Sequence, residues 1–392
     1  MTTTAVDVVP LYGLTDEHLA FRAVIRQIVA ERVAPRAAAI DADAEFPEDV
    51  RRLFADHDLF GLPFDEAHGG TGTGALMLCV AIEEIATACA SSSLLLAVQD
   101  LGSLPIRLAG SEELKQRVLP RLASGEWLAA FALSEPDAGS DPRAMRTRAR
   151  RDGDAWIIDG AKNWITNAGV AHAYVVFAVT DPDAPSARGI SAFLVEAGRP
   201  GFSISRLEHK MGMRGSPTGQ PVFDGVRVPA TNLIGEEGEG FKIAMRTLDH
   251  SRLGIAAQAL GIAQGATDYA VGYARERIAF GQPLIDLQGI QFKLADMETR
   301  CAAARELLYR AAAKAERAER DLGTYSAMAK LFCSDVAMEV TVEAVQVLGG
   351  YGYVTEYPVE RMMRDAKLTQ IYEGTNEIQR VVIARALRGQ RA

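Results

Sequence analysis

The sequence predicts a mainly helical protein with a β part inserted between two helical ones. Helical periodicity fills both ends of the chain, and between Trp127 and roughly Gly238 it gives way to short β-rich runs. The composition agrees: 48% hydrophobic and 24% charged residues, few aromatics and abundant Ala suit a folded helical enzyme rather than a disordered or fibrous chain. At 392 residues there is room for two or three packed units.

The expected parts are residues 1–126 (helical), 127–238 (a small antiparallel β domain) and 239–392 (helical). In the first, Thr15 can cap a helix that opens with Asp16 and Glu17 and carries Phe21, Val24, Ile25, Ile28 and Val29 on one side. A Gly-rich break from Gly69 to Gly74 precedes a second helix around Ile82 to Ile85. In the middle, Trp156-Ile157-Ile158 and Asn163-Trp164-Ile165-Thr166 flank Asp159-Gly160, which reads as a hairpin turn. Further β runs are Tyr174 to Phe177, Ile190 to Val195 and Pro221 to Phe223. From Gly240 long helices return; Glu316 and Arg320 are spaced as an i,i+4 pair, and Gly349-Gly350 marks a helix stop.

Charge and composition exclude several function classes. A net charge of −9 provides no basic stripe, so nucleic acid is not an expected partner, although a few local Arg or Lys can still hold an anion. No apolar stretch is long enough to span a bilayer and no basic, apolar leader opens the chain, so a cytoplasmic location is expected. Cys79, Cys89, Cys301 and Cys333 form no C-x-x-C pair. Cys301 falls in the series Leu294, Met297, Cys301, Ala304, Leu308, the buried face of a helix, and reads as a small hydrophobe.

Three motifs are rejected on context. Gly70-x-Gly72-x-x-Ala75 follows no hydrophobic strand and sits in no βαβ unit, so it reads as a loop rather than a dinucleotide fingerprint. The Gly235–Gly240 stretch carries Glu236, Glu237 and Glu239, which repel phosphates. No His has a Glu three residues before it, as a di-iron bundle requires, and no G-x-S-x-G elbow occurs. No metal site is expected.

Five segments in order carry the positive signal: Phe131 to Asp141, Gly160 to Asn167, Arg277 to Gly281, Gln346 to Gly350, and Ile371 to Glu377. Together they resemble the acyl-CoA dehydrogenase family over nearly the whole chain. The resemblance implies that family's fold and one FAD per subunit between the β part and the C-terminal helices. By motif, Phe131, Leu133, Ser134, Gly139 and Ser140 line the flavin, and Trp164, Ile165 and Thr166 match its Trp-x-Thr flank. An aromatic plane packs on the flavin ring, and a hydroxyl at N5 favours the reduced form.

Arg277, Phe280, Gln288, Gln346, Gly349 and Gly350 match positions that reach the FAD of a neighbouring subunit, which implies a homo-oligomer, by family habit a tetramer. A guanidinium suits a pyrophosphate because it is always charged and donates in a fork. Thr375 and Glu377, beside the base, complete the cofactor set.

Glu373 is the expected catalytic base. It lies between two helical patterns, just before Gly374 and a capping Thr375, where a carboxylate can point into a cavity. The reaction implied is removal of the α proton by Glu373 and of the β hydrogen as hydride to the flavin, with electrons passing to an electron-transfer flavoprotein. The Glu373 backbone N–H and an FAD hydroxyl would polarise the thioester carbonyl. A branch of the family places its base on an earlier helix; here that position is Ser251. Asp249 and Arg252 match residues that meet the CoA portion, Ser140 and Gly374 join them at the substrate, and His250 has no assigned role. Gln258 and Thr369 match pocket-floor positions of the short-chain branch, since bulk there excludes long acyl chains. An oxidase on the same fold and a non-catalytic acyl-CoA-binding relative are the competing readings; Glu373 and the intact flavin motifs weigh against both a base-less monooxygenase and the non-catalytic relative.

Overall fold

The computed structural model describes residues 14–389. The outer bounds 1 and 392, and the reading of the first residues as lacking a leader, lie outside them. The first helices are α1 (Asp16–Ile28), α2 (Ala37–Asp43), α3 (Glu48–Asp56), α4 (Gly74–Ala86), α5 (Ala90–Ala109) and α6 (Glu112–Ala123). Thr15 caps α1 as its sequence suggests, with its side chain accepting from the His18 amide.

Nine strands follow: β1 (Ala129–Ala132), β2 (Arg148–Asp152), β3 (Ala155–Ala161), β4 (Ile165–Thr166), β5 (Ala173–Val179), β6 (Ile190–Glu196), β7 (Phe202–Leu207), β8 (Thr218–Pro229) and β9 (Leu233–Ile234). They form one sheet ordered β4-β8-β3-β2-β5-β6-β9, with β1 also on β5 and β7 also on β8. The sheet is mixed, which corrects the expectation of an antiparallel one. β1 runs parallel to β5 from Ala129↔Ala173 to Ala132↔Val176, and β2 meets β5 in parallel at Arg148↔Val179. The long excursion from Ala132 to Ala173 gives the chain room to return in the same direction, as a parallel pair requires.

β5 is buried on both faces. Ala173, Val175 and Phe177 pack with Leu114, Val118 and Leu122 of α6, while Tyr174, Val176 and Ala178 pack with Trp156, Ile158 and Val226. Two buried faces explain the unbroken apolar run in its sequence.

The expected hairpin at Asp159-Gly160 is also corrected. β3 runs straight through it, and the turn joining β2 to β3 is Gly153-Asp154, just after a different Asp-Gly, Asp152-Gly153. Asp159-Gly160 is instead a register shift of β3 against β8. Gly160 has φ +142°, and a Cβ there would stand 2.7 Å from Thr147 Cα, so the close approach of β2 demands glycine.

The C-terminal part contains α7 (Gly240–Glu276), a two-residue hairpin of β10 (Ile278–Ala279) and β11 (Gln282–Pro283), α8 (Gln288–Glu316), α9 (Leu322–Leu348), α10 (Val359–Thr369) and α11 (Asn376–Gly389). The 37-residue α7 is the spine, packing on α4, α5, α8, α9 and α10. Leu294, Met297, Cys301, Ala304 and Leu308 are all buried, and the four cysteines are free and buried. α9 stops at Gly349. Glu316 does not pair along its helix, because α8 ends there; its Oε1 accepts from the Leu76 amide at 2.9 Å, capping α4, which has no side-chain cap of its own. No described helix is long and apolar enough to cross a membrane.

Candidate active site

The turn between α10 and α11 carries Glu373. Here the backbone turns left-handed twice, at Glu373 (φ +51°) and Gly374 (φ +90°). Glycine adopts that conformation freely, whereas for a residue with a Cβ it costs about 1–2 kcal/mol. The effect is to swing the carboxylate back onto α7, where the buried Ser251 hydroxyl donates to Glu373 Oε2 at 2.6 Å. Thr375 caps α11 by accepting from the Ile378 amide at 3.4 Å, with Glu377 exposed in the first turn.

Burial pushes the Glu373 carboxyl up to about 8. Asp100 of α5 pushes the same way, while the Ser251 hydrogen bond and the charges of Lys330 and Arg252 oppose it. A carboxylate so placed is held near neutrality as a proton acceptor. Ser251, which the sequence marked only as the vacated alternative base position, therefore contacts the Glu373 carboxylate itself. The two positions open onto one spot.

Next to Ser251 on α7, buried Arg252 bonds Asp249 Oδ1 at 2.9 Å through Nη1, while its Nε is a buried donor with no partner among the described residues. Thr247 Oγ1 is orphaned in the same way. Buried polar atoms left without partners suit a ligand bearing acceptors. His250 is half-buried, and burial lowers its imidazole below the ordinary value despite the charge of Asp100. Further along, Gln258 has no exposed surface. Its Nε2 donates to Ala90 O and Ser93 Oγ, both at 2.9 Å, and its Oε1 accepts from the Tyr372 hydroxyl. Thr369 is buried and donates to Ala366 O at 2.7 Å.

A second cluster gathers on the sheet. The Asn163 amide donates to Ser134 O at 2.9 Å, and Asn163 Oδ1 accepts from the Trp164 amide at 2.9 Å. Trp164 is 60% exposed and left-handed (φ +61°), a costly arrangement for an aromatic that leaves most of its surface outside the chain's own packing. Ile165 is buried, half-buried Thr166 pairs with Thr218 of β8, and Leu133 is buried beneath half-buried Phe131 and Ser134; Phe131 packs edge-on against Phe177. Gly139 and Ser140 are exposed, with open space where a Gly139 Cβ would stand. A presented indole plane, hydroxyls and a Cβ-free approach fit a planar ring cofactor such as flavin. The loop after β7 links the clusters: the Met213 amide donates to buried Asp365 of α10, and the Tyr372 hydroxyl reaches Met213 Sδ.

A third group stands apart. Arg277, Gly349 and Gly350 line a cavity of about 510 Å³ with Tyr351, over whose ring the Arg277 guanidinium lies at 5.4 Å. Phe280 tips the β10–β11 hairpin, 92% exposed at φ +53°. Exposed Gln288 opens α8, and exposed Gln346 lies in the last turn of α9.

Sequence reasoning missed the residues that hold these turns. Lys162 Nζ bonds Glu135 Oε1 at 2.7 Å with both side chains buried, joining the first two motifs. Lys330 Nζ donates to Gly374 O at 2.9 Å, and Gln379 Nε2 to the same oxygen at 2.7 Å. A signal for Lys330 existed: Ser326, Lys330, Cys333 and Ala337 share the buried stripe of α9.

Comparison with known proteins follows the same division. The family description "Acyl-CoA dehydrogenase, N-terminal domain" matches residues 15–126, its middle domain 130–226 and its C-terminal domain 238–388. The chain is 52% identical over 377 residues to "Probable acyl-CoA dehydrogenase FadE25" of Mycobacterium tuberculosis, covering 96% of this chain and 97% of that one. Among solved structures it is similar to butyryl-CoA dehydrogenase from Megasphaera elsdenii, with a TM-score of 0.93 and 44% identity over 96% and 99% of the two chains. It is also similar to a glutaryl-CoA dehydrogenase from Mycobacterium smegmatis in complex with FADH2 (TM-score 0.90, 33% identity, 98% and 97% covered).

Proposed function

The chain belongs to the acyl-CoA dehydrogenase family, and from that premise we propose that it oxidises a short-chain acyl-CoA to the trans-2-enoyl-CoA with Glu373 as the base. The observation that carries this is the Glu373 carboxylate, turned inward by a left-handed backbone, bonded to Ser251 and raised to about 8.

In this reading the chain consists of three units, 1–126, 127–238 and 239–392. Phe131, Leu133, Ser134, Gly139, Ser140, Trp164, Ile165 and Thr166 hold the flavin ring, and FAD, when bound, supplies the acceptor for the β hydrogen and its electron pair. Glu373 takes the α proton once its carboxylate leaves the Ser251 hydroxyl for the substrate. Arg252 offers its unpaired Nε–H to the CoA portion, with Asp249 fixing the guanidinium. Gln258 closes the acyl pocket; locked by Ala90, Ser93 and Tyr372, it cannot swing aside for a longer chain. Arg277, Phe280, Gln288, Gln346, Gly349 and Gly350 serve a neighbouring subunit's cofactor, so the working unit is a homo-oligomer, a tetramer by family likeness. Electrons leave to an electron-transfer flavoprotein.

The test is anaerobic addition of butyryl-CoA to the yellow protein. Wild type bleaches, with a rate that rises as pH passes through about 8 because the base must be ionised. Bleaching by Glu373→Gln at the wild-type rate would remove Glu373 from the role.

A further inference from the structure

We propose that Lys330 of α9 is the positioning residue for Glu373: it clamps the base-bearing turn and sets its cationic charge against the carboxylate. The proposal rests on Glu373 being the base, and it adds what holds that base ready.

Lys330 has no exposed surface. Burial pulls its ammonium down to about 7, and the Glu373 charge is the first of those that raise it again; an ammonium cut off from water needs acceptors and a counter-charge. Its acceptors are two neutral oxygens, Gly374 O at 2.9 Å and Asn376 Oδ1 at 3.0 Å. Neither supplies negative charge. The carboxylates facing it are Glu373 in the turn, Asp335 on α9 and Glu377 on α11, and Arg252 of α7 is the opposing cation. Asp335 is already engaged: its Oδ1 accepts from Asn376 Nδ2 and Gln370 Nε2, both at 2.7 Å, and its Oδ2 from Arg380 at 3.2 Å. Glu377 is exposed to solvent. The half-buried carboxylate of Glu373 therefore remains the principal balance for the Lys330 charge. The groups around Glu373 agree: Asp100 from α5 opposes its ionisation, while Ser251 and Arg252 from α7 and Lys330 from α9 favour it.

The clamp is also mechanical. Gly374 O accepts from Lys330 on one side and Gln379 Nε2 of α11 on the other, and Gln379 reaches Glu373 O at 3.3 Å as well. Two consecutive left-handed residues persist only where their surroundings hold them. Here α9 and α11 grip the carbonyl that follows Glu373, which aims its side chain at Ser251 rather than at solvent.

Charge and clamp predict different signatures. The flavin-loaded protein is mixed anaerobically with butyryl-CoA across pH in wild type, Lys330→Met, Lys330→Arg, Asn376→Asp and Glu373→Gln. In Lys330→Met the acidic limb of the bleaching rate moves up by about half a pH unit, because an opposing charge has gone that is only partial over the limb, burial holding Lys330 at about 7. Lys330→Arg keeps the charge and returns the limb towards wild type, with a lower plateau. Asn376→Asp, which retains Lys330 and serves if Lys330→Met does not fold, gives the ammonium a competing carboxylate and also moves the limb up. The same shift is read without turnover from the pH at which the protonated-carboxyl infrared band of Glu373, identified by subtracting the Glu373→Gln spectrum, disappears. A uniform loss of rate with unmoved limb and band in both Lys330→Met and Asn376→Asp would overturn the proposal. If Glu373→Gln instead bleaches like wild type, the assignment of the base has failed, and that outcome is separate from the first.

Discussion

Two desolvated glutamates in this molecule show how surroundings decide what a carboxylate does. Glu135, between β1 and β2, accepts from the Arg146 and Thr147 amides at 2.6 and 3.0 Å and bonds Lys162 Nζ at 2.7 Å. Burial would raise its pKa, but the Lys162 charge and these hydrogen bonds outweigh burial and hold it below the ordinary value. Glu373 is also desolvated, yet its carboxylate receives a single hydroxyl, with its cations further off, and it rises to about 8. Saturation makes one carboxylate a strut. Deficit raises the other into the range that the proposed base needs.

The largest test of this contrast is on activity. Glu373→Gln is expected to lower the anaerobic bleaching rate by about 10²–10⁴-fold while leaving chemical unfolding near pH 4.5 close to wild type. Glu135→Gln should show the reverse balance, with stability falling before the limb of the rate profile moves.

The next effect concerns the strut. Lys162→Met leaves Glu135 buried and uncompensated, at an expected cost of about 3–5 kcal/mol in urea unfolding. The double variant Lys162→Met/Glu135→Leu should recover most of that loss, since replacing both charges by apolar groups removes the desolvation problem. No recovery would mean that the pair does more than pin two segments.

Ser251→Ala is a smaller change. It removes a donor to the ionised form of Glu373, so the acidic limb should move up by about one pH unit with little change in unfolding. An unmoved limb would show that the hydroxyl only fills space.

The last difference lies in how stability depends on pH. Glu135 binds fewer protons folded than unfolded, so its contribution is present above its unfolded value near 4.5 and is lost as pH falls through its lower folded value. Glu373 has the opposite sign: the folded state keeps its proton up to about 8, so its share of stability declines as pH rises from about 4.5 to 8. Unfolding midpoints of wild type and Glu373→Gln across that window should converge towards pH 4.5 and separate towards pH 8.

Much of the site was legible because it is local. Glu373, Gly374 and the Thr375 cap are consecutive, as are Trp164, Ile165 and Thr166, and short-range order leaves its mark on neighbouring residues. The residues that support them were not legible. Ser251 lies 122 positions from Glu373, Lys330 lies 44 from Gly374, and Glu135 lies 27 from Lys162. The sheet shows the same limit: a short β-rich run marked a strand correctly at Tyr174 to Phe177, but strand direction depends on where a 40-residue excursion returns, and Asp159-Gly160 imitated a turn that the chain makes at Gly153.

What the residues determined alone was the three-part order, the helix ends at Thr15, Gly349 and Thr375, and the identity of a carboxylate placed on a turn. These follow from backbone preference and local hydrogen bonding, which act within a few positions. Only the tertiary structure decided that this carboxylate faces Ser251, Arg252 and Lys330 while Glu135 faces Lys162. Electrostatic environment is a property of distances in space, and packing α7, α9 and α11 around one turn creates distances that no short stretch of chain contains.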